Sequence, residues 1–255
     1  MATTHLLFNP SRGDIKLAQL AVIMAELDWV SRRRHDNHRP SSRTHLPIVF
    51  CGDMNFEPFC PLFHFVVDGV VKYAGVSAKS LAGKHDSRTN PKVRNLWPFK
   101  DSTLLPPSIG ITEKCRKLTA MSSIGDHAQD TSACDSEPPS DGNIYHELHL
   151  KSAHHLKCRT TKFAGDTGQA SGGGGANEND PDFDPKRYMT TNHDKACENV
   201  DFIFFNETPD FELVKTTPLP LAGSQPPIPN QRHGSDHYAV AATLALHADP
   251  AYCQF

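Results

Sequence analysis

Leu46-Pro47-Ile48-Val49-Phe50-Cys51-Gly52-Asp53-Met54-Asn55 is an apolar run that stops at a glycine and is followed at once by a carboxylate and an amide. The unbroken apolar stretch Leu46–Cys51 is the signature of a short central strand buried on both faces. Side chains alternate along a strand, so Asp53 and Asn55, two residues apart, point from the strand's end into one cleft. An Asp there can orient or deprotonate a water, and an Asn can donate to an oxygen on which negative charge accumulates in a transition state. Gly, Asp and Asn are also ordinary turn formers. The spacing alone therefore assigns no chemistry.

Upstream, Thr3–Phe8 suits a buried strand through Leu6, Leu7 and Phe8, and Asn9-Pro10-Ser11-Arg12-Gly13 supplies turn residues. Asp14 is the expected N-cap of a helix over Ile15–Arg34, whose Leu17, Leu20, Ala21, Met24 and Leu27 follow the i, i+3, i+4, i+7 rule. Arg32, Arg33 and Arg34 then complement the helix dipole at a solvated end. Asp36–His45 is a polar linker. Downstream of the central strand, Phe59–Gly69 reads as a short helix with Leu62, Phe63, Val66 and Val67 on its apolar face and Gly69 as its stop. Strand, helix, strand, helix in the first seventy residues is α/β in character.

The middle differs. Tracts near 112–142 and 165–184, the second with Gly172–Gly175, are poor in apolar residues and read as low-complexity insertions. Between them Ile144–Lys157 suits one helix or strand. Order returns at Asn199–Asn206, where Asp201 interrupts the apolar run Val-Asp-Phe-Ile-Phe-Phe. A carboxylate in such a strand is costly unless paired. A Pro-rich loop, Pro218–Pro229, leads to Gly234-Ser235-Asp236-His237, and Tyr238–Leu246 reads as a terminal strand. Asp236 and His237 together can serve a metal-phosphate centre, the carboxylate on the metal or its waters and the imidazole on the phosphoryl group. Asp201 is a fitting partner for His237, fixing its tautomer and raising its basicity.

Bulk properties bound the rest. A chain of 255 residues with net charge −3 and nearly balanced signs is not a nucleic-acid-coating basic protein, though a basic rim to a cleft remains compatible. Twenty Pro, sixteen Gly and 38% hydrophobic residues describe an ordered core diluted by long loops. Seven scattered cysteines without a CxxC pair, and no signal peptide before them, point to a reducing compartment, cytoplasmic or in second place nuclear. No apolar stretch approaches the roughly 18 residues needed to span a bilayer, so no membrane partner is expected. His154-His155-x-x-Cys158 looks like part of a zinc site, but no second ligand pair stands at the usual spacing.

GDxN after an apolar strand, an Asp within Val-Asp-Phe-Ile-Phe-Phe, and a late Ser-Asp-His before a final strand occur here in the order of the endonuclease/exonuclease/phosphatase superfamily. The stretch from Thr4 to Leu20 (Thr-His-Leu-Leu-Phe-Asn-Pro-Ser-Arg-Gly-Asp-Ile-Lys-Leu-Ala-Gln-Leu), Pro106–Ile111 and Leu148–Ala153 resemble the Angel branch of its CCR4/nocturnin-like group. The resemblance covers most of the chain outside the two insertions. It implies a four-layer α-β-β-α sandwich (DNase I-like) in which residues 1–255 are the C-terminal part of one domain. By matching position, Asp53 would activate the attacking water, Asn55 and His5 would hold the scissile phosphate, and Asp236 with Asp53 would serve Mg²⁺, or Mn²⁺ in its place. His237 would meet the phosphoryl oxygens, with Asp201 orienting it. Pro10 and Thr191 would lie beside the nucleotide.

The implied activity is hydrolysis of RNA phosphate esters, either as a deadenylase-like 3′ exonuclease or on terminal 2′,3′-cyclic phosphates. The implied partners are an RNA 3′ end or terminal phosphate, with translation or mRNA-decay factors. Two alternatives stay open: a phosphatase of inositol phosphates or sphingomyelin in the same fold, and an RNA- or protein-binding fragment without turnover. The second is favoured because the family's metal-ligating Glu and first-strand Asn belong upstream of the strand bearing His5, leaving the sandwich incomplete at its N-terminus. Phe56 after GDxN and Tyr238-Ala239 after Ser-Asp-His depart from the family's usual Ser and Leu-Pro, and bear on substrate fit more than on the reaction.

Overall fold

The computed structural model of the chain describes residues 1–32, 45–83, 104–106, 142–155, 188–193, 196–209 and 211–247. Thirteen elements follow in order among these: β1 Ala2–His5, α1 Gly13–Ser31, β2 Val49–Asp53, α2 Pro61–Asp68, β3 Val70–Lys72, α3 Ala78–Leu81, β4 Asn143–Tyr145, β5 Leu150–Ser152, β6 Thr191–His193, β7 Ala196–Glu198, β8 Asp201–Asn206, β9 Phe211–Thr216 and β10 Ala242–Leu246. The central sheet has the order β1-β2-β8-β5, with β1 parallel to β2 and the other pairings antiparallel. Both the Leu46–Cys51 run and the Val200–Phe205 run thus become inner strands, which is why neither alternates.

One face of this sheet packs on helices. Phe50, Phe202 and Phe204 meet Leu17, Leu20 and Met24 of α1 and Leu62, Phe63, Phe65 and Val66 of α2 in a single buried cluster. Phe50 and Phe204 stack with centroids 6.0 Å apart, and each such ring removed from water stabilises by about 2–3 kcal/mol. The other face carries Val49, Ile203 and Phe205, covered by Phe211 and Leu213 of β9 and Ala242 and Leu244 of β10, with Ala153 beside them. Helices, sheet and the antiparallel β9–β10 pair thus form successive layers.

Local signals explain the helix ends. Pro61 opens α2, the Cys60 Sγ accepts from the Phe63 amide at 3.3 Å, and Gly69 closes it in the left-handed conformation (φ 76°). Burial pushes the Cys60 thiol up to about 12, so it is a structural, not a reactive, sulfur. For α1 the expected cap is corrected. Arg12 occupies the cap position but its side chain makes no capping bond, and Asp14 sits in the first turn, where Arg12 donates to its carboxylate at 2.8–3.2 Å. Asp14 still complements the helix dipole, but as a charge and not as a cap.

Helix α1 also ends earlier than its periodicity predicts, at Ser31. Arg32 does not end as a purely solvated cation: its guanidinium grips the Asp28 carboxylate (2.8 and 2.9 Å), and the His45 Nε2 donates to the same carboxylate at 2.7 Å. Arg33 and Arg34 lie outside the described residues. Burial alone would raise the Asp28 pKa, but the His45 and Arg32 bonds outweigh it and hold it below the ordinary carboxylate range. A depressed folded pKa contributes stability that is present above the unfolded value of about 3.9 and is lost as pH falls through the folded one. Asp28→Asn is therefore expected to cost about 3 kcal/mol at pH 7, with the gap to the parent closing in acid; chemical melts from pH 7 down to 2 check it.

Other boundaries shift in the same way. Ile144–Lys157 resolves into β4, β5 and a short 3-10 turn at Ala153–His155, and the terminal strand begins at Ala242, not Tyr238. Strand β9 was hidden in the sequence, because Phe211–Thr216 is short and mixes Glu and Lys with its apolar residues. The 165–184 tract, the 112–142 tract except Gly142, and Cys158 of the zinc-like motif lie outside the described residues. No helix among the described residues is long and apolar enough to cross a membrane.

Candidate active site

The site grows from the glycine of the opening motif. Gly52 has φ 142°, and a Cβ there would lie 1.9 Å from the Thr4 carbonyl oxygen. Only glycine lets β1 pass this close to β2. The close approach sets the register His5↔Asp53, while β8 on the other side places Asp201 directly opposite Asp53. Cross-strand partners share a face. His5, Asp53 and Asp201 therefore form a row across three adjacent strands, at the end of the sheet face that the β9–β10 pair covers further along.

His237 completes the cluster from a loop. The Tyr238 amide donates to the Thr190 carbonyl at 2.7 Å, and the Thr191 hydroxyl donates to the Asp236 carbonyl at 2.7 Å. The Thr190 hydroxyl accepts from the amides of Val200 and Asp201 at 2.9 and 3.1 Å. Two adjacent threonines thus hold both halves of the Asp201–His237 pair. Thr190 escaped the sequence reading, since a threonine beside a strand has no signature of its own. Thr191, expected near a nucleotide, is buried at the loop anchor.

The His237 Nδ1 donates to the Asp201 Oδ2 at 2.7 Å, which turns its Nε2 toward the Asp53 Oδ2 at 3.8 Å. The His5 Nε2 lies 3.3 Å from the same oxygen, with a side chain 71% exposed against 15% for Asp53. Burial and the neighbouring Asp201 charge raise the Asp53 pKa above its ordinary value, against a 2.8 Å bond from the Asn55 amide and the nearby imidazoles. Burial would lower the His237 pKa, but the Asp201 bond and the charges of Asp201, Asp53 and Asp236 outweigh it and raise the imidazole above its usual value. A carboxylate and an imidazole both poised toward neutrality are suited to proton transfer.

The remaining expected residues are placed less centrally. Asp236 is exposed, and its carboxylate is not among the converging ligand atoms, which belong to Asp53, Asp201 and His237 and lie within 4.8 Å of one another. Asn55 is 2% exposed, has φ 51°, and donates its side-chain N–H to the Leu6 carbonyl at 2.9 Å. In this arrangement its amide ties the turn to the end of β1. Pro10 is half-buried in the Asn9–Arg12 turn. Two carboxylates facing across adjacent strands, with one pKa raised by the other's charge, are a donor set that a divalent cation would relieve. The cluster therefore fits as an acidic metal site.

No family model matches the chain. It is 40% identical over 120 residues to human protein angel homolog 1, covering 47% of this chain and 16% of that protein. It is 29% identical over 269 residues to protein angel homolog 2 of Danio rerio, covering 97% of this chain and 40% of that protein. The crystal structure of ANGEL2, a 2′,3′-cyclic phosphatase, in complex with adenosine-2′,3′-vanadate matches with a TM-score of 0.56 and 27% identity, over 96% of this chain and 56% of that one. The chain thus spans well under two thirds of the relatives it matches. Its fold is the DNase I-like α/β sandwich of that structure. Along nearly its whole length the chain is thus similar to the Angel branch of the CCR4-like endonuclease/exonuclease/phosphatase superfamily, both in sequence to angel homologues and in fold to ANGEL2.

Proposed function

We propose that the cleft hydrolyses a phosphate ester at an RNA end, with a terminal 2′,3′-cyclic phosphate as the substrate. The observation that carries this is the row His5–Asp53–Asp201 with His237 bonded to Asp201. The vanadate complex of ANGEL2 supports the substrate class, since adenosine-2′,3′-vanadate carries the strained ring of such an end.

In this reading Asp53, desolvated and held by the Asn55 amide, orients the attacking water and takes its proton. His237, its Nδ1 committed to Asp201, presents Nε2 to the phosphoryl oxygens. The exposed His5 reaches the same group from β1. One of the two ester bonds of the ring breaks, and the departing ribose oxygen takes up a proton. A divalent cation, Mg²⁺ by the hardness of the oxygen donors, would be held at Asp53 and Asp201 and would supply neutralisation of phosphate charge. The oxygen donors Asp53 and Asp201 carry that preference; Asp236 would serve through its charge near His237.

The test is a substrate panel on the full chain with Mg²⁺: an oligonucleotide ending in a 2′,3′-cyclic phosphate, an unmodified oligo(A), and inositol phosphates. Ring opening to a monoester on the first substrate is expected. Shortening of oligo(A) alone would move the reading to a 3′ exonuclease, and turnover of inositol phosphates alone would overturn it. Asp201→Asn keeps the shape but loses the charge that orients His237. Activity should fall about 10- to 100-fold, measured as kcat/KM on the cyclic end.

A further inference from the structure

The turn bearing Asp53 is held by a fully buried cation. Lys16, on the first turns of α1, is 0% exposed, and its Nζ donates to the carbonyl of Asn55 at 2.5 Å and to that of Ala82 at 2.9 Å. Burying an ammonium is expensive unless its donors are hydrogen-bonded, and the two bonds named here both go to backbone carbonyls. Asn55 is in the left-handed region (φ 51°), which asparagine tolerates better than other side-chain-bearing residues but which still benefits from bonds that hold it there. Three bonds hold it here. The Asn55 amide donates to Asp53 Oδ1 at 2.8 Å, its side chain to the Leu6 carbonyl at 2.9 Å, and its carbonyl accepts from Lys16.

The other end of the clamp is equally fixed. A Cβ on Gly13 would lie 2.3 Å from the Ala78 carbonyl oxygen, so the start of α1 and the helix α3 are in backbone contact. The Glu57 amide donates to the Gly83 carbonyl at 2.7 Å, tying the segment after the turn to the segment after α3. Lys16 is the one side chain among those named that bonds both sides at once.

We infer that Lys16 is a positioning residue of the cleft, holding the Asp53 carboxylate in place through the Asn55 backbone. The inference rests on the hydrolytic reading above for its catalytic consequence, but its structural part stands independently. Lys16→Met keeps the bulk and removes the donors. It should lower kcat on the cyclic-phosphate RNA between about ten- and a hundredfold, the effect of misplacing a reacting group by a fraction of an ångström, while KM stays within about twofold. Amide hydrogen exchange at Asn55 and Phe56 should accelerate at least about tenfold.

Leu20→Ala, in the same helix and buried in the core, is the control for mere destabilisation, compared at equal distance below each Tm. Exchange at Asn55 and Phe56 and kcat in Lys16→Met that match this control would overturn the proposal. Should Lys16→Met fail to fold, Lys16→Gln, which keeps one amide donor, should give an intermediate loss of kcat and of exchange protection. An unchanged turn in Lys16→Gln would again overturn it. If the native chain turns over no substrate, the hydrolytic reading falls, and the exchange measurement still decides whether Lys16 holds the turn.

Discussion

Asp53→Ala is expected to lower kcat on a cyclic-phosphate RNA end by about 10³-fold while leaving the protein as stable as before, or slightly more so. The two halves of this result have one cause. Asp53 is buried to 15% exposure and faces Asp201 across the β2–β8 pair, and both effects raise its pKa. A raised pKa makes the carboxylate a stronger base, and general-base removal typically costs about 10²–10⁴-fold in rate. The same raised pKa means the folded state gains nothing from the carboxylate's charge. Its one firm bond is from the Asn55 amide, 2.8 Å away. Steady-state kinetics beside thermal melts of the two proteins separate the effects. A loss of rate that tracks a loss of Tm would show that Asp53 serves the fold and not the reaction.

Gly52→Ala should have the largest effect on stability, more than about 4 kcal/mol, the range reached only by specific structural failures. The added Cβ would sit 1.9 Å from the Thr4 carbonyl oxygen, a backbone atom that no rotamer change can move aside. β1 would have to separate from β2, losing the His5↔Asp53 register and with it the His5 contact at 3.3 Å. Gly75→Ala is the comparison. Gly75 has φ 73° but nothing within 4 Å of its added Cβ, so only the left-handed conformation is penalised, about 1–2 kcal/mol. Chemical melts of both variants test the contrast. Equal losses would mean that φ, and not the close approach of two strands, is what requires glycine at 52.

Much of the site was legible because its pieces are local. The Gly52-Asp53-x-Asn55 spacing places a carboxylate at a strand's end whatever surrounds it, and Asp201 within an apolar strand signals a partner by its cost alone. The pairing of Asp201 with His237 was expected and is present at 2.7 Å. The role of Asn55 was not legible. Whether an amide faces a ligand or locks a turn depends on its φ and on the carbonyl of Leu6 beneath it, neither of which is written in the motif. The Asp14 cap failed for a similar reason, as Arg12, two residues away, captured its carboxylate.

By itself, then, the sequence determined the α/β character and the two central strands, and it named the candidate acid–base groups that the proposed function uses. Continuous apolar runs and costly polar interruptions are properties of neighbouring residues along the chain. Only the tertiary structure decided which of those groups converge. Antiparallel register set Asp53 against Asp201, two threonines far along the chain fixed His237, and a fully buried Lys16 reached the Asn55 carbonyl from α1. Each of these depends on groups from different segments of the chain meeting in space, and no local pattern encodes such a meeting.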